Sequence, residues 1–350
     1  MPGIRAAGLS GRAVLRHRRG TRDLRFRLAT EADAPAIAAT FDGRNALPLP
    51  PRVRTALPAL LRQLVASPAC TVTAFEDGDA SGLRIVSMAG GMFVRDEVID
   101  GYLANPQPAL VASILTDMLD GRRPLLTFEE MRRANSGDGL NLAVFPVPLG
   151  RSDLDDPFVV ELRKLAPQAF VRYYAGYRLR SIYYEVFTDD VAGYLQAGGY
   201  RLLHDFSTRA GSGFLGPQCR PRMLRLTRAE LPPGAMSMAT QMFDPPPARL
   251  GLTPAEQRVA LRALDGAPDR EIARSLGLSE ETVRANWRSL YQRLASELPG
   301  AEPAHRDAED GKRGTEKRRS AIEYLRQNMH ELRPAERIER RAVAPQPVGR

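Results

Sequence analysis

The first readable segment alternates. In "LRFRLATEADAPAIAATF", apolar Leu24, Phe26 and Leu28 flank charged Arg25 and Arg27, a period of two that predicts a strand. The pattern then changes to a helix, with Thr30 as its N-cap and Glu31 and Asp33 in the first turn, where the helix dipole favours acids. A second helix is expected through "RVRTALPALLRQLVAS". "CTVTAFEDGDASGLRIVSMAGGMFV" has β-branched alternation on both sides of a Gly/Asp/Ser turn and reads as a hairpin. Helical stretches near 108–119 and 157–176 flank a strand in "LNLAVFPVPL", and "RSIYYEVF", "DDVAGYLQAGG" and "YRLLHDF" follow as strand, helix and strand. This order predicts an α/β domain over residues 23–218, with its strands central.

Periodicity is lost between Arg220 and Gly251, where "LPPGAMSMATQMFDPPPARLG" clusters its prolines, so residues 219–250 are expected to be a Pro-rich linker. An all-α domain is expected over 251–295, then a basic tail over 296–350 with a short helix near 315–332. In that helix Ile322, Leu325, Met329 and Leu332 recur at three, four and three residues. Such a stripe is unstable in water unless it docks. The tail helix therefore either packs on the helical domain, with Lys317, Arg318 and Arg319 resting on phosphate, or frays as a solvated end. Residues 1–22 carry many arginines and no acid, which resembles an organelle transit peptide without the apolar core of a secretory signal. They are expected to be a disordered basic arm.

The segment "LTPAEQRVALRALDGAPDREIARSLGLSEETVRANWRSLYQRL" is the most informative. Thr253 caps a helix, Pro254 suits its first position and Glu256 completes a capping box. Gly266 ends that helix, a short one carries Ile272, Ala273 and Leu276, Gly277 supplies a positive-φ turn, and Ser279 caps a third. In the third helix Val283, Trp287, Leu290 and Leu294 form one buried stripe, while Arg284, Ala285, Arg288 and Gln292 fall on another face. Two arginines a turn apart opposite an apolar stripe, after a tight turn, have the geometry of a helix reaching base edges in a major groove. The stretch from Leu252 to Leu294 resembles the LuxR-type helix-turn-helix, in which LTPxE, a glycine, xEIAxxLxxSxxTV and a terminal Leu recur at these intervals. That resemblance implies groove reading by Arg284, Ala285 and Arg288 and a backbone contact near Thr282. Pro268 departs from the family's Ser/Thr cap, Asn286 from a frequent His and Trp287 from a smaller aliphatic residue. The family's dimerising fourth helix should follow Leu294, where "ASELPGAEPAH" is a poor helix former.

Composition adds limits. The chain has 350 residues, enough for two or three domains, with 43% hydrophobic residues to supply cores. No apolar run approaches the ~18 residues a membrane helix needs, so no membrane partner is expected. A formal charge of +9 suits an anionic partner, although only Lys164, Lys312 and Lys317 are lysines, and an arginine-rich coding sequence weakens that inference. Cys70 and Cys219 lie far apart and the four histidines show no paired spacing, so neither a disulfide scaffold nor a metal site is indicated. A bacterial cytoplasm, with nucleoid association when bound, fits this.

The N-terminal order of strand, two helices, hairpin, strand, helix, strand, helix, strand resembles the GNAT acetyltransferase fold, and "YLQAGGYRLLHDF" is similar to that superfamily's closing helix and strand. The resemblance implies a mixed sheet with flanking helices. It also implies a glycine-rich turn, Arg/Gln-x-x-Gly-x-Gly/Ala, whose amides hold coenzyme A pyrophosphate. After "LAVFPVPL" this chain has "GRSDLDDPF", one glycine with three aspartates, which would repel pyrophosphate. No catalytic residue and no cofactor are therefore expected. Tyr174, Tyr177, Tyr183 and Glu185, with Tyr173 and Tyr184 nearby, either line a small-molecule pocket or pack as core. The sequence as a whole is read as a LuxR-type transcription regulator that is not an enzyme: a homodimer binding double-stranded DNA, with an N-terminal domain that senses a small-molecule effector or dimerises. An acetyltransferase fused to a DNA-binding module is the alternative, and a scaffold whose first domain only dimerises is a third.

Overall fold

The computed structural model describes residues 23–41, 48–79, 82–147, 157–209, 213–217, 219–231, 240–297 and 310–334. The arm expected over residues 1–22 lies outside them. The first part of the chain runs β1 (Asp23–Leu28), α1 (Ala34–Ala39), α2 (Pro51–Ala66), β2 (Cys70–Asp79), β3 (Gly82–Val94), α3 (Asp96–Ala104), α4 (Leu110–Leu119), α5 (Phe128–Ser136) and β4 (Leu140–Phe145). It continues with α6 (Pro157–Tyr174), β5 (Leu179–Val186), α7 (Asp189–Ala197), β6 (Arg201–Asp205), β7 (Arg222–Thr227) and α8 (Thr240–Phe243).

The strands form one seven-stranded sheet in the order β1-β2-β3-β4-β5-β7-β6. Neighbours are antiparallel except β4 and β5, which are parallel. A parallel pair needs a long crossover, and α6 is that crossover. Side-chain alternation assigns the two faces. Met88, Met92, Ala143 and Phe145 meet Ile37, Leu57, Leu61, Ile114 and Leu115 from α1, α2 and α4 on one face. Phe75, Phe93, Leu142 and Val144 meet Met131, Leu162 and Tyr174 from α5 and α6, together with Phe243 of α8, on the other. All six residues of β4 are buried, as befits a central strand covered on both faces.

Residues 219–250 are not simply a linker. Arg222–Thr227 is β7, inserted between β5 and β6, and Met242 and Phe243 are buried in the core of the second face. Three arginines within "RPRMLRLT" mask its alternation, and the prolines around it suggested a loop. Helices α3 and α5 were also not anticipated. The latter was signalled by Thr127, whose hydroxyl accepts from Glu130 N while Glu130 closes the capping box.

The second part of the chain is helical: α9 (Pro254–Leu264), α10 (Asp269–Leu276), α11 (Glu280–Glu297) and α12 (Asp310–Gln327), with a 3-10 turn at Met329–Leu332. Thr253 and Glu256 form the expected box, Gly266 and Gly277 take positive φ, and Ser279 Oγ accepts from Thr282 N at 3.0 Å. Val283, Trp287 and Leu290 are buried with Ile272, Val259 and Ala260. Ala321, Leu325 and Leu332 enter the same cluster, so the tail helix docks. Arg318 turns inward rather than outward: its guanidinium stands 5.0 Å from the Trp287 ring centre and bonds Asp269 at 2.6 Å. Lys317 and Arg319 remain exposed. None of the four apolar clusters spans both parts of the chain.

Candidate functional site

The parallel pairing of β4 with β5 stops at Val144 and Tyr184, although the strands run on to Phe145 and Val186. The two strands therefore part at their C-terminal ends, and Glu185 is the first β5 residue past the last pair. The face it shares with Tyr183 is that of α3 and α4. Its side chain is 1% exposed. Oε1 accepts from Ala109 N at 2.5 Å and Oε2 from Leu110 N at 2.8 Å, so the carboxylate sits on the N-terminus of α4. Ala109, with φ 72°, is the one non-glycine residue at positive φ among the described residues. That conformation costs an alanine about 1–2 kcal/mol, and the paired amides of residues 109 and 110 on one carboxylate offset it. Burial pushes the Glu185 carboxyl up to about 7 against the lowering effect of the two amides.

Tyr102 and Cys219 come near this carboxylate from other elements, and His204 stands beside Tyr102. Tyr102 of α3 is buried, and both burial and the nearby Glu185 raise its phenol. His204 of β6 lies with its ring centre 5.8 Å from that of Tyr102, and its basicity is lowered by burial and by Arg225. The Cys219 thiol is pushed up to about 11 by burial and by Glu185. Tyr102 Oη and His204 Nε2 are buried with no hydrogen-bond partner, a state that costs each about 1–3 kcal/mol and is uncommon in folded proteins. The segment between α3 and α4 is held by Gln107 bonding to Arg209 and by Ala109 N bonding to Glu185. Two open clefts, of about 380 and 340 Å³, lie elsewhere: one beside Arg95, Arg133 and Arg180, the other between β1 and α9–α10.

The four residues expected to share a pocket do not do so. Tyr183 and Glu185 face α3 and α4, while Tyr174 and Tyr177 are on the opposite side with Phe93, packed edge-on and at 4.6 Å between ring centres respectively. The reason is local. The tyrosines of α6 and its following turn cover one face of β5, and strand alternation sends Tyr183 and Glu185 to the other. Tyr173 also departs, bonding Asp265 through its hydroxyl at 3.3 Å. Nothing in the sequence marks Tyr102 or His204, since their convergence joins residues about a hundred positions apart.

On the helical part, Thr282, Arg284, Ala285, Arg288 and Gln292 are all exposed along α11, opposite buried Val283, Trp287 and Leu290. Arg284 has a loose pair with Glu280 at 3.3 Å, one turn before it.

No protein-family model and no curated protein matches the chain. Solved structures do match. NAA60 of Arabidopsis thaliana in complex with acetyl-CoA is 12% identical, with 59% of this chain and 99% of that one covered at a TM-score of 0.35. A putative acetyltransferase from Acinetobacter baylyi ADP1 is 14% identical, with 59% and 94% covered at 0.37. The spermidine/spermine N-acetyltransferase SpeG from Vibrio cholerae is 10% identical, with 59% and 95% covered at 0.34. At such values the likeness concerns the course of the chain alone: a GNAT-like mixed sheet with flanking helices. The expectation of a LuxR-family transcription regulator without enzymatic activity is not what these comparisons return: the structures just named are acetyltransferases, and their likeness to this chain reaches no further than the fold.

Proposed function

We propose that the chain is an acyltransferase of GNAT fold joined to a DNA-binding helical module. The acyltransferase reading rests on one observation above others: a buried carboxylate, Glu185, with its pKa raised to about 7, where the two parallel strands of the sheet part. A base with a pKa near the working pH combines a large deprotonated fraction with useful basicity. In the proposed reaction an amine nitrogen attacks the carbonyl carbon of an acyl thioester, the C–N bond forms and the C–S bond breaks. Glu185 takes the proton the nitrogen loses and returns it to the departing sulfur. Tyr102 Oη and His204 Nε2, which have no hydrogen-bond partner among the described residues, are suited to holding the acceptor.

Residues 150–156, "GRSDLDD", lie outside the described residues, and their three aspartates disfavour coenzyme A phosphates there. A phosphate-free donor should therefore serve as well as acetyl-CoA. Thiol release from acetyl-CoA and from acetyl-pantetheine, each with a panel of amines, tests the reading. Amine-dependent release that Glu185→Gln lowers at least about a hundredfold supports it. Release that is equal with and without amine, or equal in the variant, refutes it.

For the helical module, support comes from the exposed row Thr282, Arg284, Ala285, Arg288 and Gln292 beside a positive-φ turn at Gly277 and a capped α11. Double-stranded DNA is the proposed partner, with Arg284 and Arg288 addressing base edges as a helix-turn-helix would. Selection of bound fragments from a random duplex pool tests it. An enriched motif is expected, and a pool unchanged after selection would remove the reading.

A further inference from the structure

The last described residues cross from one part of the chain to the other. Glu331 accepts from Arg249 N at 2.9 Å and Leu250 N at 2.8 Å on the helical side, and Gln257 Nε2 donates to Arg333 O at 3.0 Å. Arg333 then enters the α/β domain. Its guanidinium lies 4.6 Å from the Tyr177 ring centre and donates to Ala175 O at 2.9 Å and to Arg172 O at 3.3 Å, while Asn135 Nδ2 donates to Pro334 O at 2.8 Å. Gly176, at φ 87°, admits the segment: a Cβ there would stand 2.4 Å from His330 N.

We propose that residues 329–334 are a releasable strap, a self-ligand in a groove of the α/β domain that fixes the helical module against it. The inference is independent of either activity proposed above. Two observations carry it. First, the parts share no apolar cluster among the described residues, and polar contacts join them elsewhere too: Arg172 with Asp265 at 3.1 Å, Arg172 with Leu264 O at 2.6 Å, and Tyr173 with Asp265. Second, the strap buries a guanidinium, 3% exposed at Arg333, on carbonyls and a ring, with no carboxylate among the described residues bonded to it. A buried charge without a counter-ion loses hydration that carbonyls restore only in part, so water competes for it on release. An apolar junction would be permanent, whereas a polar one with a buried charge lies close to balance.

The test measures the distance between the two parts in the full chain. Spin labels at Leu83→Cys and Ala295→Cys, both exposed positions, in a Cys70→Ala, Cys219→Ser background, should give one narrow distance for the otherwise unaltered protein. Arg333→Gln removes the buried charge and most of its donors. Gly176→Ala blocks the groove from the other side. Either change should raise the separated population about ten- to a hundredfold, seen as a broad, longer distance, with helical content unchanged. Arg326→Gln, on the exposed side of α12, serves as the control. A single unaltered distance in both variants overturns the proposal. So does loss of helical content in both variants, because the contacts of Arg333 and Gly176 would then hold the folds of the two parts together rather than fix one part against the other.

Discussion

Replacing Glu185 by glutamine separates its charge from its shape. The carboxyl has an ordinary value of 4.5 and is raised to about 7 by burial. Folding therefore favours the protonated form: the stabilisation is complete below pH 4.5 and is lost as pH rises through 7. Linkage over those two values gives a loss of about 2.5 kcal/mol between pH 5 and pH 8, levelling off above. The glutamine variant has no such term. It keeps one acceptor oxygen, but its NH2 faces either Ala109 N or Leu110 N, both of which donate to the carboxylate at present. A donor left facing a donor costs about 1–3 kcal/mol. The variant should be the less stable protein at pH 5, and near pH 8 it should equal or exceed the parent, so the two curves converge or cross. Urea unfolding at several pH values measures this. Near-UV circular dichroism of the tyrosines follows the sheet domain, while fluorescence of Trp287, the only tryptophan, follows the helical module separately. A stability difference constant to within about 0.5 kcal/mol from pH 5 to pH 8 would refute the raised value, and with it the reading of Glu185 as a base tuned by burial.

Thr253→Ala should weaken the helical module by about 1 kcal/mol, because Glu256 N loses the hydroxyl it bonds at 3.3 Å; an unchanged Trp287 unfolding curve would contradict this. Arg284→Ala and Arg288→Ala should each weaken binding to a selected duplex by about 1–3 kcal/mol where the arginine meets guanine, with the fold intact by circular dichroism; titrations matching the parent at equal salt would place the reading face elsewhere. Arg318→Met keeps the length of the side chain but removes its bond to Asp269 and the cation over Trp287; it should lower module stability by about 1–2 kcal/mol and shift Trp287 emission, and an unchanged spectrum would mean that α12 does not cover the indole.

Those side chains also mark what was legible before any coordinates. Capping boxes and positive-φ glycines are local, so Thr253, Glu256, Gly266, Gly277 and Ser279 stand where their neighbours in sequence require. The stripe of α11 followed from spacing in the same way. The tail helix was legible as an apolar face needing cover, but its charge was misread. Arg318 sits one turn before that face and was expected to rest on phosphate with Lys317 and Arg319, yet Asp269, distant in sequence and near in space, draws it inward. Strand β7 failed for a related reason: its arginines have partners on neighbouring elements, Asp189 and Asp205 for Arg222 and Glu230 for Arg225. A paired arginine on a strand is indistinguishable in sequence from a loop arginine.

The candidate site shows the same limit more sharply. Glu185 stands among tyrosines in the sequence, yet the tyrosines of α6 pack on the opposite face, and its own partners are two amides at the start of α4. Its raised pKa comes from being carried past the last β4–β5 pair into an apolar layer built by α1 to α4. That environment depends on four elements meeting, and no window of sequence contains it. The strained Ala109 completes the case. An alanine after Pro108 gives no hint of left-handed backbone, and it is held there by a carboxylate 76 positions later. Glu185 therefore has a structural task, anchoring the start of α4, whatever chemistry it performs. The two tasks oppose each other in charge, since anchoring is best served by the carboxylate and burial favours the acid. In the proposed transfer, a proton taken up by Glu185 would weaken its grip on Ala109 and Leu110, so the start of α4 should loosen at the step where the acid forms.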